Sequence, residues 1–378
     1  RGDRADIVSI MPELKKRNVE FTPFELASIT QNHTFDLVQY ACRLNELEKR
    51  RSLYELGQYL VSNGSNESED IEEIVQSAND KLSSIFGGLE NHVKTASDYM
   101  TEVYQRVNDN LNSISTPGTL TGFSAIDSKG GFQPTNLIIC AAESSQGKTA
   151  FANAVTLSAT KAGAKIAFYS MEMSGSQLMT RLAAIESSIP VSVLTNEKLT
   201  SEQLKNFDVS VASLSKLGIY FDDRSTSSIE TILASIRSLV IKHQIQGAVI
   251  DYMQILTVNK KGGSTEESIA EAARRLKNIA KELNIWILAL SQLSRDSTNP
   301  VPSVNRLRGS GQINEAADMT ILIYRPEAYN KRYPEPFQST NPKGTALIDI
   351  AKGRNVGVFK FIAGFNAVTT HFYELNER

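Results

Sequence analysis

The sequence predicts an α/β fold: a mainly parallel sheet, preceded by a helical N-terminal segment and a linker helix. Three observations carry this. From residue 118 onward short apolar runs follow one another, with helical stretches between several of them. One run leads straight into a glycine–lysine–threonine turn and a helix, "NLIICAAESSQGKTAFANA". Before residue 89, apolar residues instead recur at three- and four-residue spacing, the helical period.

Composition sets the outer bounds. The 378 residues suffice for two or three domains and a sizeable core. Charged residues make up 22% and apolar ones 41%, an ordinary globular balance. With a net charge of −2, any contact with nucleic acid must be a local basic surface. Cys42 and Cys140 show neither CxxC nor metal spacing and read as buried thiols of a reducing cytoplasm. No apolar stretch approaches membrane-spanning length, and no signal peptide is visible. The opening "RGDRAD" lacks Met, as expected of a truncated or trimmed product, and its Arg-Gly-Asp triplet reads as chance.

Residues 1–88 read as a partial helical N-terminal domain. "FTPFELASIT", "FDLVQYACRLNELEKRRSLYELGQYLV" and "IEEIVQSANDKLSSIF" are its periodic segments, with Asp70 placed to cap the third. Residues 89–117 read as a linker: "GGLENH" breaks the period, "TASDYMTEVYQRVNDNL" is one amphipathic helix, and "SISTPGTLTG" leads onward. The apolar face of that helix needs a partner, either its own core or another subunit. Residues 118–378 hold the strands "NLIICAA", "KIAFYSME", "GIYFDD", "GAVIDYMQIL", "IWILALSQ", "MTILIYR" and "TALIDIAK". Such runs imply a parallel sheet covered on both faces, with ligands bound at the carboxyl ends of its strands.

The strand ends supply the chemistry. "AAESSQGKTA" fits the phosphate-binding pattern G-x-x-x-x-G-K-[ST], except that Ala142 replaces the first glycine. Backbone N–H groups of Ser144, Ser145, Gln146, Gly147 and Ala150 would wrap a phosphate at a helix N-terminus. Lys148 would bring charge to the β- and γ-phosphates of ATP, and Thr149 a hydroxyl to Mg²⁺. Alanine, the smallest replacement, suffices where the backbone does not need glycine's freedom. "GAVIDY" ends in Asp251, a second Mg²⁺ ligand. "KIAFYSME" brings Glu172 as general base, and "ILALSQ" brings Gln292 to sense the γ-phosphate. Singly, each is an ordinary cap or turn residue; together they are the inventory of ATP hydrolysis.

At this point residues 118–378 resemble the DnaB-type replicative helicases, ring-shaped motors with a RecA-like core. The motifs are "TGFSAID", "AESSQGKTAFANA", "YSMEMSGSQLMTRL", "VIDYMQIL", "RRLKNIAKELNIWILALSQLSR", "LRGSGQINEAADMTILIYRPEAY" and "AKGRNVG". Alanine at the first loop glycine is common in that family. The resemblance implies that Glu172 is the catalytic glutamate, that Lys352 and Arg354 reach a neighbour's ATP, and that Arg325 lies near the nucleotide base. It implies a channel loop on single-stranded DNA at Arg308, Gly309 and Gly311, and a second at Lys260 and Lys261. The family usually has Glu where Gly309 stands, and Arg where His371 stands, so His371 is given no nucleotide role. Residues 1–88 resemble the later part of the family's N-terminal domain, and the linker helix its intersubunit helix. The implied protein is an ATP-driven helicase working as a homo-hexamer, 5′→3′, with primase and a helicase loader as partners. Two alternatives stay open: a RecA-like recombinase or regulatory ATPase, and a DNA-binding ring scaffold whose ATPase has decayed.

Overall fold

The computed structural model describes residues 37–64, 95–111, 118–224, 228–256, 265–296, 299–307 and 310–375, with isolated positions between the first two stretches. The chain divides into two compact units, residues 1–105 and 106–378.

In the first unit, α1 (Leu37–Asn63) covers the periodic stretch predicted for it. Leu56 of α1 is buried, as is Ile74, and the Lys81 ammonium sits 3.4 Å from the Tyr59 ring centroid. "FTPFELASIT" and the Asp70 cap lie outside the described residues, as does most of "IEEIVQSANDKLSSIF". The linker helix is α2 (Ala96–Leu111), and the boundary between the units falls within it. Thr95 and Asp98 start it reciprocally: the Thr95 N–H donates to Asp98 at 2.8 Å and the Asp98 N–H to the Thr95 hydroxyl at 3.2 Å. Tyr99, Met100, Val103, Tyr104 and Val107 share one face of α2 and are all exposed.

Beyond the end of α2, the second unit has a short turn of helix, α3 (Ser124–Asp127), and a sheet of nine strands among the described residues. They are β1 (Leu137–Ala142), β2 (Ile166–Ser170), β3 (Ile219–Asp222), β4 (Gly247–Asp251), β5 (Trp286–Gln292), β6 (Met319–Tyr324), β7 (Thr345–Gly353), β8 (Phe359–Asn366) and β9 (His371–Glu374). Their order in the sheet is β3-β2-β4-β5-β1-β6-β7-β8-β9. The stretch from β3 to β6 is parallel, and each junction from β6 to β9 is antiparallel.

The direction of β7 corrects the sequence expectation, which placed "TALIDIAK" among the parallel strands. A parallel neighbour needs a crossover that packs back over the sheet. The segment between β6 and β7, "RPEAYNKRYPEPFQSTNPKG", carries four prolines and ends in glycine, and it forms only one turn of 3₁₀ helix. β8 and β9, which the strand reading did not single out, extend the sheet by hairpins.

Both faces of β1 are buried. Ile138, Cys140 and Ala142 enter one core with α4 (Lys148–Lys161), while Leu137, Ile139 and Ala141 enter the other with α8 (Ile229–His243) and α9 (Thr265–Glu282). Burial of Leu137, Ile138 and Ile139 contributes about 1.5–3 kcal/mol each. α5 (Gly175–Ser187), α6 (Val191–Asn196) and α7 (Ser201–Leu214) lie between β2 and β3 in the chain, and α10 (Ser310–Ala316) leads into β6. α5 and α7 each begin with a capping box, Ser174–Gln177 and Thr200–Gln203. Among the described residues no helix is long and apolar enough to cross a membrane.

Candidate nucleotide site

The site lies at the carboxyl ends of β1, β2, β4 and β5. Ala142 is the last residue of β1, extended and fully buried, so its position makes no demand that only glycine meets. The left-handed backbone falls further along, on Ser145 at φ 62° and Gly147 at φ 101°. Gly147 is the position where glycine is needed. A Cβ there would lie 2.8 Å from the Phe372 ring, in a conformation side chains rarely adopt. Gly147 is also the N-cap of α4 and gives it no side-chain cap. The first N–H groups of α4 therefore keep their capacity for an anion. Ser144 and Ser145 are exposed on the turn, while Ala150 faces the core and could offer only its backbone.

The charged groups converge on this loop. The Lys148 ammonium donates to the carbonyls of Ala142 at 3.1 Å and Glu143 at 3.0 Å. Burial pulls its pKa down, and the nearby carboxylates of Asp251, Glu172 and Glu143 resist that. The Cys140 thiol behind the loop is pushed up to about 12 by burial and stays protonated. The Thr149 hydroxyl donates to Asp251 at 2.7 Å. Burial raises the Asp251 pKa, the Thr149 bond lowers it, and nearby Glu172 raises it again. A hydroxyl and a carboxylate this close, beside an uncapped helix N-terminus, fit Mg²⁺ held partly by protein and partly by phosphate.

Strand register fixes the other two residues. Ser170 pairs with Asp251 between β2 and β4, and Glu172 is exposed on the bend that follows. The Met171 N–H donates to the Asp251 carbonyl at 3.1 Å and the Met173 N–H to the Ser170 hydroxyl at 3.1 Å, which shapes that bend. Gln292 pairs with Ala142 across β1 and β5, at the root of the loop. Sequence reading missed Gln254. Its amide donates to the Ser291 hydroxyl at 2.9 Å and the Gln292 carbonyl at 3.2 Å, tying the ends of β4 and β5 together. Its signal was its place three residues after Asp251, inside a stretch already singled out.

Arg325 lies beside the loop. Its N–H donates to the Gln146 side chain at 3.0 Å, and its guanidinium stacks 3.9 Å from the Phe365 ring centroid. His371 is partly buried in β9, and burial lowers its pKa. It is the neighbouring Phe372 that meets Gly147 and packs on Phe151 of α4.

Lys352 and Arg354 are elsewhere. The Lys352 ammonium donates to the carbonyls of Asn314 and, at 3.3 Å, Glu315. Arg354 donates to the Glu315 carbonyl at 2.9 Å and to Asp318 at 3.2 Å, with its side chain 51% exposed. Asp318 also accepts from the Leu137 N–H at 2.8 Å and Lys277 at 2.6 Å. Arg354 is thus level with the first residue of β1, and the loop follows the last. The length of β1, about 17 Å at roughly 3.3 Å per residue, separates them.

Of the channel residues, Arg308, Gly309, Lys260 and Lys261 lie outside the described residues. Gly311 falls inside α10, so helix replaces the loop expected at that position. The end of the second expected loop, "TEES", is likewise the first turn of α9.

This fold and this loop define a P-loop ATPase core with a RecA-like sheet. Residues 118–374 match the profile described as the DnaB-like helicase C terminal domain. The chain belongs to the DnaB-like helicase family. It is 32% identical to a probable replicative DNA helicase of Trieres chinensis, over 89% of this chain and 75% of that one. It is 30% identical to the replicative DNA helicase DnaB of Geobacillus stearothermophilus, over 100% of this chain and 85% of that one. A solved ATPase domain, 26% identical, superimposes with a TM-score of 0.68 over 75% of this chain and 100% of that domain. A solved DnaB-like replicative helicase, studied with its interactions with primase, superimposes with a TM-score of 0.65 over 98% of this chain and 91% of its own; at 22% identity this is a likeness of fold.

Proposed function

We propose that the chain is an ATP-dependent replicative DNA helicase whose hydrolytic site is shared between two copies. The supporting observation is the placement of its parts. Lys148, Thr149, Asp251, Glu172 and Gln292 gather where the parallel strands end, and Arg354 projects where they begin. No single chain brings the two sets together.

Lys148 holds the β- and γ-phosphates of ATP, and the backbone from Ser144 to Ala150 cradles them. Mg²⁺, held at Thr149 and Asp251, would neutralise phosphate charge. Glu172, exposed past β2, accepts the proton of the attacking water. Gln292 reports the γ-phosphate to the segment after β5, and Arg325 faces the base. Lys352 and Arg354 meet the charge that builds on the γ-phosphate of a neighbour. A closed ring of six copies repeats that interface, and the exposed face of α2 offers a neighbour an apolar helix. Single-stranded DNA then runs past Arg308, Gly309, Gly311, Lys260 and Lys261, with 5′→3′ movement. Primase and a loader are its expected partners, and the cytoplasm its place of work.

Unwinding of forked duplexes with only a 5′ or only a 3′ single-stranded arm tests this. The expected result is ATP-dependent unwinding with the 5′ arm and little with the 3′ arm. Strand exchange between homologous duplexes without unwinding would make it a recombinase. DNA binding without ATP turnover would make it a scaffold.

A further inference from the structure

One guanidinium gathers several partners beside the phosphate-binding loop. Arg306 pairs with the Glu143 carboxylate, and their side chains are only 11% and 6% exposed. It donates twice to the Ser294 carbonyl, at 3.1 Å from Nε and 2.6 Å from one amino nitrogen. Its other amino nitrogen donates to the carbonyls of Asn299 and Val301, each at 3.2 Å. In return its own carbonyl accepts from the Ser294 N–H at 3.0 Å and the Ser294 hydroxyl at 3.2 Å. Glu143 is further engaged by the Tyr329 hydroxyl at 2.6 Å and the Asp296 N–H at 3.3 Å.

The location of the two residues gives this cluster its meaning. Glu143 directly follows β1 and precedes Ser144 of the phosphate loop, and Arg306 stands two residues before Arg308. Leu293 and Leu307 bridge the two ends of the intervening stretch. A planar fork with its donors engaged on three carbonyls and one carboxylate ties Ser294, Asn299 and Val301 to Glu143. Separating a buried pair strands an uncompensated charge, so the two residues move together when the loop moves.

We infer that Arg306 is a positioning residue: through Glu143 it fixes residues 294–296 and 299–307 to the phosphate-binding loop, so that seating a nucleoside triphosphate shifts these residues, which lead in sequence to the DNA-contacting position proposed for Arg308. The DNA end of this rests on the function proposed above; the strut between Glu143 and Arg306 does not.

Amide hydrogen exchange on the full chain tests the strut without DNA. Peptides covering residues 294–307 are compared with and without Mg²⁺ and a slowly hydrolysed ATP analogue. In the native chain their exchange should change at least about fivefold, the lower end of ordinary coupling between sites. That response should vanish in Arg306→Lys, which keeps the charge but loses the fork, and in Glu143→Gln, which keeps the shape but loses the charge. Native amides indifferent to nucleotide overturn the inference, as does a response that survives both variants. Where one variant fails to fold, the other carries the comparison, since either removes the pair. In a second arm, stimulation of ATP turnover by oligo-dT should fall by about the same fivefold in Arg306→Lys, through kcat rather than KM. Arg308→Ala separates the two readings. It should weaken oligo-dT binding and flatten the salt dependence by about one unit of slope. An unchanged slope with the nucleotide response intact leaves the strut standing and removes its DNA end.

Discussion

The two edges of the central sheet hold their cations in the same way yet lack opposite things. Where the strands end, the Lys148 ammonium rests on the carbonyls of Ala142 and Glu143. Where they begin, Lys352 rests on the carbonyls of Asn314 and Glu315, and Arg354 on Glu315 and Asp318. The first edge adds a hydroxyl, two carboxylates and a helix N-terminus, the equipment to hold and attack a phosphate. The second adds Asp318, already engaged by Leu137 and Lys277. Register keeps the edges the length of a strand apart. On the function proposed above, the sheet is a spacer between two half-sites, and catalysis would depend on how copies are arranged.

The sharpest break of this comparison is at Arg354. Arg354→Ala chains should bind ATP normally and lose about 10³–10⁵ in turnover, the usual worth of an arginine finger. Lys148→Ala chains should also be inactive, and mixing the two should restore part of the ATPase, since some interfaces would pair an intact loop with an intact finger. Native mass spectrometry must show that mixed assemblies form. Mixed assemblies without recovery would confine Arg354 to its own chain.

Glu172→Gln probes the other edge. The amide cannot take the water's proton, so turnover should drop by about 10²–10⁴ while nucleotide binding stays. Single-turnover hydrolysis at the native rate would place the base elsewhere.

The smallest effect is a pH dependence at Glu143. Burial alone would raise its pKa, but the bonds from Tyr329, Arg306 and the Asp296 N–H hold it below the ordinary carboxylate value. The unfolded chain therefore takes up this proton more readily. The stabilisation is complete above the unfolded value of about 4.3 and is lost as pH falls through the lower folded value. Urea midpoints should consequently fall more steeply between about pH 5 and pH 3 in the native chain than in Glu143→Gln. Parallel acid limbs would show that Glu143 is not held charged.

Much of the first edge was legible because its parts stand next to strong local signals. Lys148 and Thr149 follow a glycine between a strand and a helix, and Asp251, Glu172 and Gln292 end or follow apolar runs. Arg306 carries no such mark, and nothing local pairs it with Glu143. They are 163 residues apart, and a lone charge in a polar turn reads as solvated. The reversal at β7 was written in the proline-rich connection before it, but the strand pattern of "TALIDIAK" does not depend on direction. β8 was harder still, since "FKFIAGFN" mixes exposed and buried positions without a clean alternation.

The place of β1 in the sheet also governs when the nucleotide loop can exist at all. Its only strand neighbours are β5 and β6, and the bond from the Leu137 N–H to Asp318 spans 181 residues. During synthesis β2, β3 and β4 can pair among themselves as soon as they emerge. β1 must wait, its apolar sides unmatched, until the ribosome has delivered most of the chain. A growing polypeptide should therefore bind ATP late, since both neighbours of β1 are in place only when β6 arrives. Capture of nascent chains of increasing length on immobilised ATP should show a threshold beyond residue 324, the end of β6.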